Sequence, residues 1–113
     1  MTARLLILTL LATCTALLPH AAPARAADKP RQTTVVTLRG GAFTPQRVTV
    51  RPGDTVVWAN ADDRDHTVTA ASGAFDSGNI RPGGSFAWRA TKPGDYAYGC
   101  SLHPRMRGVV SVQ

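Results

Sequence analysis

The sequence predicts an all-β protein, a single-domain antiparallel β-sandwich preceded by a signal peptide. Between Thr33 and Gln113 there are ten Val and nine Thr, against two Leu and no Glu. Helix formers are therefore scarce in this region and β-branched residues dominate. Short runs such as Val48-Thr49-Val50 alternate in polarity, and Pro-Gly turn signals separate them. A chain of 113 residues has room for one such domain.

Residues 1–26 are expected to form a signal peptide that is cleaved. A positively charged start precedes the apolar run Leu5–Leu18, and Ala24-Arg25-Ala26 supplies a small-x-small cleavage pattern. The run is short of the roughly 20 residues needed to span a bilayer, so an uncleaved anchor is the less favoured alternative. Lipidation of Cys14 is a second alternative. We expect the mature protein in the periplasm, or secreted, without stable membrane insertion.

Residues 27–32 are expected to be a flexible tail, and residues 33–113 the folded domain. Turn signals such as Arg51-Pro52-Gly53-Asp54 separate the strands, because Pro favours the first corner of a turn and Gly accepts positive φ at the second. Trp58, Phe86 and Trp88 are predicted to fill the core. The predicted strands are Thr33–Leu38, Arg47–Val50, Thr55–Asn60, His66–Ala70, Ser85–Arg89, Asp95–Cys100 and Gly108–Val112.

The positive charge of the chain does not indicate nucleic-acid binding. Removal of Arg4 and Arg25 with the leader lowers the net charge from +6 to +4. The remaining basic residues are scattered, without a run of four or more. A modest positive field that favours an acidic partner is the simpler interpretation.

The residues with metal-binding side chains are few and lie close together in sequence. Outside the leader, Cys, His and Met occur only as His66, Cys100, His103 and Met106. A single Cys excludes a disulfide within the mature chain. Cys100, His103 and Met106 have helical spacing, but Pro104 within a helix would cost about 3 kcal/mol. The segment is therefore predicted to be a tight loop between two strands, and His66 is predicted to approach it from the start of another strand.

This set of donors favours copper over other metals. One thiolate, two imidazoles and a weak axial thioether are typical of blue copper sites. Zinc would prefer more thiolates or a carboxylate, and a haem attachment would need a Cys-x-x-Cys-His motif. Calcium prefers oxygen donors, but Asp62, Asp63 and Asp65 are interpreted as a solvated turn.

The same residues resemble a known family. Cys100-x-x-His103-x-x-Met106, the upstream His66, and the segment from Phe43-x-Pro45 to Asn60 are similar to the cupredoxins, including amicyanin and plastocyanin. The two-residue gap before Met106 resembles that of amicyanin. The resemblance implies a Greek-key sandwich with one mononuclear type 1 copper. It also implies one-electron transfer. An enzyme such as a multicopper oxidase or nitrite reductase domain is disfavoured, because the sequence outside the leader has no further His residues for additional copper sites.

Two positions depart from the family pattern. Thr67 stands where Asn usually follows the first His, and Leu102 stands where Pro commonly precedes the second. The resemblance implies that the Thr67 N–H faces the Cys100 sulfur. Asn60, Thr67 and Pro104 are therefore candidates for tuning the ligands, and the departures affect the redox potential rather than the choice of metal.

The expected partners are redox proteins: a c-type cytochrome, a dehydrogenase or an oxidase. The resemblance implies that His103 is the more exposed ligand through which electrons pass, and the protein is expected to be a monomer. The alternative function is copper binding and delivery with the same ligands, which the small number of Met and His residues disfavours. The candidate docking residues around His103 are Gly40, Gly41, Leu102 and Pro104, with Arg64, Arg105 and Arg107 as a basic rim.

Overall fold

The computed structural model describes residues 2–3, 7, 9–21 and 29–113. The predicted cleavage site Ala24-Arg25-Ala26 lies outside these residues, so the boundary between leader and domain stays a prediction. Residues 9–21 contain no helix or strand. No helix within the described ranges combines the length and apolar character needed to cross a membrane.

The described part of the chain forms eight strands and no helix. The prediction of an all-β fold is confirmed. The strands are β1 (Thr33–Arg39), β2 (Ala42–Thr44), β3 (Arg47–Val50), β4 (Thr55–Asn60), β5 (Thr69–Ala70), β6 (Ser85–Arg89), β7 (Gly94–Gly99) and β8 (Arg107–Val112).

The strands form two four-stranded sheets, with the orders β2-β1-β4-β6 and β3-β8-β7-β5. These sheets are mixed rather than wholly antiparallel as predicted. Strand β1 runs parallel to β4, and β3 runs parallel to β8, whereas the other pairs are antiparallel. The chain changes sheets between β2 and β3 and again between β3 and β4. Such crossovers allow β4 to return beside β1 in the same direction, which a simple hairpin cannot do.

Side chains from both sheets fill one hydrophobic core. Val56, Trp58 and Asn60 are the buried positions of β4, which alternate with partly exposed ones as a half-buried strand requires. Trp58 is fully buried, and Phe86 and Trp88 are partly buried against the core, in agreement with the sequence prediction.

Three features of the fold differ from the predicted strands. Strand β2 was not predicted. The predicted strand His66–Ala70 is reduced to Thr69–Ala70, and His66 instead forms an isolated bridge with Ile80. Phe75 and Ile80 belong to the core although they lie between strands. The segment between β5 and β6 therefore forms no named strand, but it supplies core side chains and hydrogen bonds to the backbone of His66.

Candidate metal centre

The Cys-His-Met motif forms the short connection between β7 and β8. The Cys100 N–H donates to the Met106 carbonyl at 3.2 Å, and the Met106 N–H donates to the His103 carbonyl at 2.9 Å. These two bonds close the loop without a helix, as Pro104 led us to expect. The loop thereby turns Cys100, His103 and Met106 back toward one end of the sandwich.

The fourth predicted residue, His66, is held on the connection between β4 and β5. Its backbone exchanges two hydrogen bonds with Ile80, at 3.1 and 2.7 Å. Asn60 supports the same segment: its Nδ2 donates to the carbonyls of Arg64, at 2.7 Å, and of Ile80, at 2.9 Å. Asn60 is buried at the end of β4, so it links the core strand directly to the backbone around His66.

The structure brings the thiol and both imidazoles together. Cys100 Sγ lies 3.8 Å from His66 Nδ1 and 3.6 Å from His103 Nδ1. All three donor atoms lie within 4.8 Å of one another. His66 and Cys100 are buried and His103 is half-buried. Met106 is buried in the same loop, and with His103 it lines a recess that opens at the surface.

Thr67 joins the two segments that carry these residues. Its N–H donates to Cys100 Sγ at 3.2 Å, which the family resemblance implied. Its hydroxyl accepts the Ser101 N–H at 2.8 Å and lies 3.0 Å from the Ser101 hydroxyl. A threonine hydroxyl therefore links the loops at the position where the family usually has Asn.

Hydrogen bonds to the sulfur favour the thiolate form of Cys100. Burial by itself would raise the pKa of the thiol, because it disfavours the charged form. The Thr67 N–H, both imidazoles and the Leu102 N–H oppose burial and lower the pKa to about 6. The thiolate, which is the form that binds metals, is therefore accessible near neutral pH.

Asp62 has a role that the sequence did not reveal, and the interpretation of this Asp-rich segment as a solvated turn is wrong for it. Asp62 Oδ2 lies 2.8 Å from His66 Nε2, and the Gly40 and Gly41 N–H groups donate to the same carboxylate. The bond with His66, followed by those from Gly41 and Gly40, lowers the pKa of Asp62. Burial would lower the pKa of His66, but Cys100 and Asp62 together raise it. Asp63 and Asp65 are exposed as expected.

Two recesses border His103 on the surface. Arg64 lines one together with Gly40 and Gly41. Arg105 lines the other together with Leu102 and Pro104. The structure thus places the predicted apolar docking residues and two of the predicted rim arginines around His103. Arg107 lines different grooves, so it does not border these two recesses.

The donor set fits copper. A thiolate and two imidazole nitrogens converge, and the thioether of Met106 belongs to the same short loop. The nearby carboxylate of Asp62 contacts Nε2 of His66. It does not contact Nδ1, which is the nitrogen that lies near Cys100 Sγ. Within the described ranges the set therefore has no fourth strong ligand of the kind that zinc usually takes, whereas copper accepts a weak thioether.

Comparison with known proteins agrees with this chemistry. The model of the cupredoxin-like domain matches residues 5–112. The chain belongs to the cupredoxin-like family. Among the cupredoxins, amicyanin from Paracoccus versutus is 32% identical over 96 residues, which cover 80% of this chain and 73% of that protein. Amicyanin from Paracoccus denitrificans is 29% identical over 103 residues, covering 87% of this chain and 79% of that protein.

Solved cupredoxin structures also resemble the chain. The reduced Cu(I) form of an amicyanin variant superposes with a TM-score of 0.68 at 28% sequence identity. The match covers 84% of this chain and 95% of that one. An oxidized amicyanin variant gives a TM-score of 0.67 at 27% identity, covering 71% of this chain and 81% of that one. The likeness in fold therefore extends over most of the chain.

Proposed function

We propose that this cupredoxin-like protein binds one copper ion and carries single electrons between redox proteins. The observation that carries the proposal is the convergence of Cys100 Sγ with the Nδ1 atoms of His66 and His103. These three residues would hold the copper ion, and the thioether of Met106 would be its weak fourth donor. When bound, copper supplies a centre that can gain and lose one electron.

The protein's own contribution is to hold these donors in a fixed arrangement. His66, Cys100 and Met106 are buried, and their loops are tied together through Thr67. A rigid donor set limits the rearrangement that accompanies electron transfer, which suits a carrier. His66, Cys100, His103 and Met106 are also all the Cys, His and Met residues outside the leader. We therefore propose a carrier rather than an enzyme with further metal sites.

The half-buried His103 is the proposed point of electron entry and exit. The apolar recess beside it suits close contact, and Arg64 and Arg105 favour a partner with an acidic rim. A c-type cytochrome, a dehydrogenase or an oxidase of the periplasm is the proposed kind of partner. The signal-peptide pattern supports export to that compartment.

Addition of Cu(II) to the purified mature protein tests the ligand set. We expect an intense blue colour from the Cys100 thiolate, and we expect Cys100→Ser to abolish it. Ser111→Ala, which removes a buried hydroxyl group in β8, is a control for an unrelated core substitution and should keep the colour. A colourless wild-type protein at full copper occupancy, or a preference for zinc over copper, would contradict the proposal.

The second candidate function, copper delivery, makes a different kinetic prediction. Burial of three of the four proposed ligands favours slow release of the metal, as a carrier requires. We expect fast electron self-exchange and slow loss of copper to a competing chelator. Rapid transfer of copper to the chelator, with slow self-exchange, would favour delivery instead.

A further inference from the structure

We propose that Asp62 is a positioning residue for the metal centre, whose carboxylate holds the His66 imidazole so that Nδ1 faces Cys100. The expected effect of Asp62 on a bound metal rests on the proposed copper-binding function. The contact between Asp62 and His66 belongs to the protein itself and can be tested without copper.

The hydrogen bond determines which nitrogen of His66 carries the proton. His66 is 1% exposed, and its Nε2 lies 2.8 Å from Asp62 Oδ2. An ionised carboxylate can only accept hydrogen bonds, so Nε2 of the neutral imidazole must be the donor. In the neutral ring the lone pair then resides on Nδ1, 3.8 Å from Cys100 Sγ, where it can bind a metal; Nδ1 donates to the sulfur only when both ring nitrogens carry a proton.

The carboxylate is itself held in place from a different strand. Gly40 and Gly41 connect β1 to β2, and their N–H groups donate to Asp62 Oδ1 at 3.1 Å and Oδ2 at 3.2 Å. The Asp62 N–H donates to Asn60 Oδ1 at 3.0 Å. Because both oxygens and the backbone of Asp62 are bonded, the side chain cannot easily turn away from His66.

Both the position and the charge of Asp62 should matter to bound copper. A carboxylate partner makes the imidazole a stronger donor and restricts its rotation. Its negative charge stabilises Cu(II) more than Cu(I), because the oxidised ion has the larger positive charge. Loss of the carboxylate should therefore weaken Cu(II) binding and raise the reduction potential.

The chain offers a matched control for this substitution. Asp54 lies at the opposite end of β4 and also accepts two backbone N–H groups, from Gln32 at 2.9 Å and Arg51 at 3.0 Å. It makes no contact with a proposed ligand in the described hydrogen-bond network. Asp62→Asn and Asp54→Asn therefore remove the same charge from similar hydrogen-bonding positions, but only the first alters the environment of His66.

The two variants are compared as copper-loaded full-length mature proteins by chelator competition and voltammetry. For Asp62→Asn we expect about 10-fold to 100-fold weaker Cu(II) binding and a higher reduction potential. Each tenfold loss of Cu(II) affinity relative to Cu(I) corresponds to about 59 mV. For Asp54→Asn we expect a lower Tm without a change in affinity or potential. Wild-type affinity and potential in Asp62→Asn, or an equal shift in Asp54→Asn, would overturn the inference.

A second measurement on the wild-type protein does not depend on the variants folding or on copper. Imidazole ¹H–¹⁵N spectra of the metal-free protein at alkaline pH report which nitrogen of His66 is protonated. We expect a proton on Nε2 that exchanges slowly with water. A proton on Nδ1 would overturn the role of Asp62 while leaving copper binding intact. Failure of the wild-type protein to bind copper would instead contradict the proposed function.

Discussion

The two ends of the parallel pair β1 and β4 are held by the same device, a carboxylate that accepts two backbone N–H groups. At one end Asp54 binds the N–H of Gln32, just before β1, and that of Arg51. At the other end Asp62 binds the N–H groups of Gly40 and Gly41, just after β1. The difference is that Asp62 also contacts the buried His66.

This comparison shows how a structural feature of the fold becomes part of a metal site. A parallel pair lacks a hairpin that would connect its strands, so both of its ends require hydrogen bonds from other groups. Asp54 accepts such hydrogen bonds at the end of the pair that is distant from the proposed metal ligands. Asp62 accepts them at the other end, and because it lies on the connection between β4 and β5 it is also next to the proposed ligand His66. Substitutions at the two ends should therefore have similar effects on stability and different effects on copper.

The largest effect on stability is expected from Asp54→Asn. This substitution should also change how the free energy of unfolding depends on pH. Bonds from the Gln32 and Arg51 N–H groups hold the pKa of Asp54 below its ordinary value of 3.8. A carboxyl with a lower pKa in the folded state stabilises the fold above its unfolded pKa, and this stability is lost as pH falls through the folded pKa. The variant should be less stable at neutral pH and should lose less of its remaining stability on acidification.

Chemical denaturation of wild-type protein and Asp54→Asn between neutral and acidic pH measures this difference. Ser111→Ala, a substitution in β8 without a charge change, controls for the loss of a polar side chain alone and should retain the wild-type pH profile. If acidification lowered the free energy of unfolding equally in the wild-type protein and in Asp54→Asn, Asp54 would not act through its charge.

An intermediate effect is expected from a pair of glycine substitutions. Gly41 has φ of 70° and Gly53 has φ of 95°, in the turns at the two ends of the strand pair. An alanine in this left-handed region costs about 1–2 kcal/mol of stability. Gly41→Ala and Gly53→Ala should therefore both lower the free energy of unfolding by this amount. Because the Gly41 N–H donates to Asp62, only Gly41→Ala should also weaken copper binding. Equal copper affinities for the two variants would show that the two ends of the strand pair do not differ in their effect on the metal.

The smallest effect is expected from Arg51→Gln. Arg51 Nε lies 3.8 Å from Asp54 Oδ2 in a partly exposed ion pair. Such pairs contribute little, so the free energy of unfolding should fall by less than about 0.5 kcal/mol. The Arg51 N–H bond to Asp54 does not depend on the side chain and should persist. A loss as large as that of Asp54→Asn would show that the ion pair, rather than the backbone bonds, holds this end.

The strands that were predicted correctly have a local signal, and those that were missed do not. Alternation along Thr55–Asn60 matches the buried and partly exposed positions of β4 residue by residue. Strand β2 has three residues, too few to show alternation. Phe75 and Ile80 lie in an irregular segment, and their burial depends on where that segment crosses the core. Parallel pairing also escaped prediction, because strand direction depends on the path between the sheets.

The candidate site shows the same division. His66, Cys100, His103 and Met106 could be proposed from the sequence because they are the only Cys, His and Met residues outside the leader. Asp62 resembles Asp63 and Asp65 in sequence, and its spacing of four residues from His66 is a weak hint by itself. The fold distinguishes it, since Gly40 and Gly41 approach it from β1 while its neighbours remain exposed.

By itself, the sequence determined the composition of a β-sandwich and the identities of the proposed metal donors, because these depend on residue types and on spacing along the chain. The tertiary structure decided which strands run parallel, which nitrogen of His66 faces Cys100, and which carboxylate holds that imidazole. Those properties arise from contacts between segments that are distant in sequence, and such contacts exist only once both sheets have packed around the core.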